Sequence, residues 1–120
     1  MGKIFFPSSR PRFVDGQLVI DEFQKIASAL ASKNKNIEAV YLFGSYANGS
    51  AGVHSDADIL VVLKQDTRGK IDRLDEFILE FSDGPVPADV LVYTKAEAEE
   101  ALNEGSHFLA RATAGIRLVG

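Results

Sequence analysis

Cysteine is absent from this 120-residue chain, and histidine occurs only twice. Disulfides and thiolate metal sites are therefore excluded. Any bound metal must use oxygen or imidazole ligands, and the scarcity of histidine favours oxygen. Long apolar runs are missing as well: none approaches the roughly 20 residues that cross a bilayer. The opening "MGKIFFPSSR" has too short an apolar stretch for a signal peptide, and Phe6 stands where the myristoylation pattern requires Ser or Thr. The sequon at Asn48 carries little weight without a secretory signal. The expectation is a cytoplasmic protein with no membrane association. Basic charge is also in short supply, the formal net charge being −4. Nucleic-acid surfaces need basic clusters to neutralise phosphates, so direct nucleic-acid binding is not expected. A nucleotide held through metal ions remains compatible with this charge.

What is present suits one globular unit. A hydrophobic fraction of 46% and a charged fraction of 25% are ordinary for a packed core, and the length predicts a single domain over residues 1–120. Residues 1–19 or so, with Pro7 and Pro11, read as an irregular arm. Phe5 and Phe6 read as satellite core there, and Arg10 and Arg12 as a basic surface. "DGQLVID" reads as a turn and short strand, and a helix is expected from Asp21 as cap, with Phe23, Ile26, Ala27 and Leu30 at helical spacing. The β-branched and aromatic run Ile37 to Phe43 predicts a strand. The stretch Ala57 to Leu63, apolar apart from Asp58, predicts a strand buried on both faces. Ala88 to Thr94 reads as a third strand and "IRLV" as a final edge strand. Between them, "RGKIDRLDEFILEF" predicts a helix burying Ile71, Leu74, Phe77, Ile78 and Phe81. "KAEAEEALNE" and "HFLARATAG" predict two more helices, the latter capped by Gly115. Alternating strands and helices imply an α/β (α+β) protein: a mixed sheet with flanking helices.

The stretch "FGSYANGSAGVHSDADILVVL" concentrates the chemistry. Residues i and i+2 of a strand share a face, so Asp56 and Asp58 aim two carboxylates at one place. Adjacent like charges near a core are unfavourable unless a cation joins them, and Mg²⁺ takes one or two carboxylates together with waters and phosphates. Gly44 and Ser45 supply an anion-binding half: glycine allows close backbone approach, and a short helix starting at Ser45 offers free N–H groups. For one triphosphate to touch both halves, the end of the first strand and the start of the second must meet. An antiparallel pair achieves that. Asp89 opens the third strand as Asp56 and Asp58 open the second. Three carboxylates suit phosphoryl or nucleotidyl transfer assisted by two metal ions.

Gly44-Ser45, the ten residues from Tyr46 to Ser55, Asp56-Ala57-Asp58 and then Asp89 together resemble the signature of minimal nucleotidyltransferases in the DNA polymerase β superfamily. Ser55 matches the usual residue before the aspartates. The resemblance covers about residues 37–93. It implies a polymerase β-like fold and transfer of a nucleoside monophosphate, with AMP from ATP expected, to a hydroxyl. It also implies Mg²⁺ as cofactor, two ions when nucleotide is bound. Asp56, Asp58 and Asp89 would be the catalytic and metal-binding residues, and Gly44 and Ser45 would bind the β- and γ-phosphates. Minimal members commonly act beside a helical HEPN-domain partner as a toxin–antitoxin pair, so a HEPN partner is expected; a homo-oligomer is left open. Many such members read "GSRARG" where this chain reads "GSYANG". Tyr46 and Asn48 replace two arginines, which moves the phosphate-binding charge to Lys64, Arg68 or a partner chain. A non-catalytic antitoxin with a weakened nucleotide site is the competing reading. A small-molecule modifier is disfavoured by the lack of room for a substrate domain.

Plainer roles apply elsewhere. His54 reads as a solvated loop residue near the site and His107 as a helix-start residue without chemistry. Gly49 and Gly52 read as loop turns, Tyr41 as packing, and the glutamates from Glu97 to Glu104 as a solvated helical face.

Overall fold

In a computed structural model of the chain, residues 15–52 and 55–120 are described. Phe5, Phe6, Arg10, Arg12 and His54 lie outside them. The elements run α1 (Gly16–Lys33), β1 (Ile37–Phe43), α2 (Ser45–Asn48), β2 (Ala57–Leu63), α3 (Lys70–Ser82), β3 (Ala88–Thr94), α4 (Lys95–Asn103), α5 (His107–Thr113) and β4 (Ile116–Val119). The four strands form one mixed sheet in the order β3-β2-β1-β4. β1 is antiparallel to β2 and to β4, while β2 and β3 are parallel. This is the expected mixed sheet with flanking helices, with the expected antiparallel first pair and β4 on the edge.

Period-2 alternation sorts the residues of β2 between two layers. Ala57, Ile59, Val61 and Leu63 join Val40, Leu42 and the buried stripes of α1 and α3 in the larger cluster. Leu60 and Val62 pack with Ala39, Ala98, Leu109 and Ala112 beneath α4 and α5. Burial on both faces explains the unbroken apolar run Ile59 to Leu63 in β2. Asp58 shares its face with Leu60 and Val62, so it continues the α5-side layer to the open mouth of the sheet.

Two expectations about helices change. α1 starts at Gly16 rather than near Asp21. The Asp15 carboxylate accepts from the N–H groups of Gln17 (3.0 Å) and Leu18 (3.3 Å) and caps the helix. "GQLVI" is therefore helical, and residues 16–19 belong to α1 rather than to an arm. The buried stripe of α3 is also rotated. Phe77 and Phe81 are buried, but Ile71 is 78% exposed and Ile78 is exposed, while Arg73 is 2% exposed. Arg73 is accommodated because its guanidinium donates to both oxygens of Glu97, at 2.6 and 2.7 Å, and to the Arg68 carbonyl at 2.8 and 3.0 Å. A buried charge is tolerated when it is paired and fully hydrogen-bonded. Glu97 also accepts from the Thr94 N–H in a capping box. It is thus an anchor between α3 and α4 rather than part of a solvated face.

Candidate nucleotide-binding site

Strand pairing assembles the carboxylates. β1 and β2 pair with Phe43 opposite Asp58, and β2 and β3 pair with Asp58 beside Asp89. The Ala57 N–H donates to the Pro87 carbonyl at 2.8 Å, which locks the mouths of β2 and β3 together. Asp58 and Asp89 therefore sit side by side on neighbouring strands. Asp56 precedes Asp58 by two residues at the same mouth. Asp58 is half-buried, whereas Asp56 and Asp89 are exposed. The Asp58 carboxyl is pushed above the usual carboxylate range, first by burial and then by the charges of Asp89 and Asp56. Among the described residues, no group of three or more histidine or carboxylate side chains forms a ready-made metal cluster. The oxygen-only donors at the mouth are of the kind Mg²⁺ takes in part from protein and in part from a phosphate ligand.

Gly44 joins the two halves. Its backbone has φ 78° and ψ −148°, a conformation confined to glycine. A methyl group in place of its hydrogen would overlap a carboxylate oxygen of Asp58. The glycine is thus required twice, by its dihedrals and by the carboxylate lying against it. Ser45 follows as the first residue of α2, half-buried, and the Gly44 carbonyl accepts from the N–H groups of Ala47 and Asn48, both at 3.1 Å.

A cleft of about 580 Å³ opens beside this junction. Gly44, Asn48 and Asp58 line it on one side, and Phe108, Arg111 and Gly115 from α5 and the following turn on the other. Ser45, Asp56 and Asp89 are not among its lining residues. Gly115 has an ordinary backbone and does not cap α5, whose C-cap is Ala114. Its role is close approach, since a side chain there would collide with the Leu42 carbonyl. Phe108 meets Phe43 edge-on, with centroids 5.5 Å apart, and fixes the inner face of α5.

The substituted positions take different roles. Tyr46 is buried, 3% exposed, in the α1-side cluster. Its hydroxyl donates to the Ser55 carbonyl at 3.4 Å, and its phenol is pushed up by burial and by Asp56. Asn48 is exposed and lines the cleft, its side-chain carbonyl accepting from the Ser50 hydroxyl at 2.6 Å. Neither Lys64 nor Arg68 replaces the missing arginines. Both follow β2, which begins at the site and carries the chain about 20 Å away. Arg68 is also engaged with Asp66 and Glu76. Arg111 escaped the sequence reading, because its place in the cleft depends on how α5 packs back onto β1. His107 is exposed at the start of α5, as expected.

Comparison with known proteins agrees with this fold. The family model for a nucleotidyltransferase domain matches residues 23–111. A Methanocaldococcus jannaschii protein assigned as a protein adenylyltransferase is 39% identical over 67 residues, which span 52% of this chain and 44% of that relative. The chain thus spans less than half of that curated relative. A Sulfolobus solfataricus protein assigned as a nucleotidyltransferase superposes with a TM-score of 0.56 at 28% identity, over 71% of this chain and 75% of its own. A toxin–antitoxin structure with AMP-PNP gives a TM-score of 0.56 at 26% identity, over 81% and 73%. A variant of the MntA–HpeT toxin–antitoxin complex gives 0.53 at 29%, over 82% and 72%. Among the described residues, no helix is long and apolar enough to cross a membrane. With the family model spanning most of the chain and the carboxylates placed at the mouth of a matching sheet, the chain belongs to the nucleotidyltransferase domain family.

Proposed function

We propose that this protein is an adenylyltransferase of the antitoxin type, moving AMP from ATP to a hydroxyl on a helical HEPN-type toxin partner. One observation carries the reading: Asp58 is in register with Asp89 while its carboxylate lies against Gly44, at strand ends where phosphate and metal ligands could converge. Relatives in toxin–antitoxin complexes, one of them with an ATP analogue, support the nucleotide and the partner class. Asp56, Asp58 and Asp89 would hold Mg²⁺, which when bound would neutralise the phosphate oxygens. Gly44 and Ser45 would receive the β- and γ-phosphates. The acceptor oxygen forms a bond to the α-phosphorus as the bond to the β-phosphate oxygen breaks. Pyrophosphate leaves, and Asp89 would take the hydroxyl proton. The rest of the catalysis is positioning and charge neutralisation.

The test is incubation with α-labelled ATP, Mg²⁺ and the candidate partner. Label should transfer to the partner and disappear with Asp58→Ala or Asp56→Ala; undiminished labelling by either variant would sink the assignment. A non-catalytic antitoxin is the second reading. It is favoured by Tyr46, which is buried, and Asn48, which is uncharged, standing where similar minimal members carry arginines. Tight partner binding without any Mg²⁺–ATP binding in calorimetry would select it.

A further inference from the structure

We propose that Arg111 holds the phosphate chain of the nucleotide on the α5 wall of the cleft. This rests on the nucleotidyltransferase reading and adds the cation that reading lacks. The mouth of the sheet presents Asp56, Asp58 and Asp89, so a polyphosphate approaching it meets like charge. A divalent ion held by those carboxylates would neutralise only part of that charge. The remaining phosphate oxygens need a donor on another wall.

The candidates narrow by elimination among the described residues. Lys25, Lys33, Arg68, Arg73 and Lys95 are held in ion pairs. Lys70 lies over the Tyr93 ring and Arg117 over the Tyr41 ring. Lys35 and Lys64 flank the far end of the β1–β2 pair, where Ile37 meets Leu63. Arg111 is left, and it lines the same cleft as Gly44 and Asp58. No carboxylate among the described residues pairs with it. Its neighbour one turn back, Phe108, is fixed against Phe43, so the helix face that carries the guanidinium is set. Arginine presents a planar fork of donors that matches phosphate oxygens in pairs. The exposed side chain has the reach and freedom to close on a ligand, and its removal leaves the core untouched.

Calorimetric titration of wild type, Arg111→Gln and Arg111→Lys with Mg²⁺–ATP, tripolyphosphate with Mg²⁺, and AMP tests this, with circular dichroism melts to confirm folding. Arg111→Gln should weaken ATP and tripolyphosphate binding about tenfold or more and leave AMP unchanged, with Arg111→Lys in between. Unchanged ATP affinity in Arg111→Gln would overturn the proposal. An equal loss for AMP would also overturn it, by moving Arg111 to the sugar or base. Wild type that binds neither ATP nor tripolyphosphate would remove the nucleotide reading itself, an outcome distinct from a silent Arg111→Gln.

Discussion

Replacing Gly44 by alanine perturbs the junction between the two halves of the site in two separable ways. The first is backbone strain. A residue with a Cβ forced to φ 78° and ψ −148° costs about 1–3 kcal/mol. The second is overlap with the Asp58 carboxylate, whose own Cβ stands 3.6 Å from the added methyl, an ordinary contact. The clash therefore comes from the carboxyl group alone, and trimming Asp58 to alanine removes it while the strain stays. We expect Gly44→Ala to lose about 2–3 kcal/mol, or roughly 8–12 °C in melting temperature for a chain of this size. In the Asp58→Ala background the same change should cost less, with a coupling of about 0.5–1 kcal/mol. Urea unfolding followed by circular dichroism in a metal-free buffer measures all four corners of the cycle. A Gly44→Ala protein within about 0.5 kcal/mol of wild type, or strictly additive substitutions, would refute the contact on which the site geometry rests.

Two further substitutions probe the same region. Asp58→Asn should stabilise the metal-free protein at neutral pH while removing Mg²⁺–ATP binding. Because the folded state raises the Asp58 pKa, the ionised group subtracts stability above that pKa, and the deficit fades as pH falls toward the unfolded value near 3.8. The advantage of asparagine should fade over the same range, and an Asp58→Asn protein less stable than wild type at neutral pH would contradict this. Tyr46→Arg restores the residue common in similar minimal members, but position 46 is buried here. It should cost about 3 kcal/mol or more in urea unfolding rather than improve ATP affinity.

The strands of this fold were readable because their signals were local. Ile37–Phe43, Ala57–Leu63 and Ala88–Thr94 fall where apolar and β-branched runs predicted them. Convergence of Gly44 with Asp56 and Asp58 required only that β1 and β2 be antiparallel, and Asp89 joins them through the parallel pairing of β2 and β3. What escaped depended on partners distant in sequence. Arg73 reads as surface in any helical pattern until Glu97, on another helix, supplies a carboxylate. Ile71 reads as core until that arginine takes the inner face. The start of α1 was hidden because Leu18, Val19 and Ile20 resemble a strand, whereas Asp15 satisfies a helix N-terminus. The presence of Tyr46 in place of an arginine was visible, but not that Tyr46 is buried, nor that a cation on α5 would line the cleft.

The direction of β4 has a practical consequence. It begins at Ile116 beside Leu42, next to the cleft, and runs antiparallel to β1, reaching Val119 beside Val40. The chain is thereby carried about 10 Å away from the carboxylate mouth before it reaches Gly120. An affinity handle, fluorophore or surface tether joined after residue 120 leaves from beside Ala39, part-way along the sheet and away from the carboxylate mouth. Immobilisation through that residue leaves the cleft beside Gly44 and Asp58 open to whatever protein is offered to it.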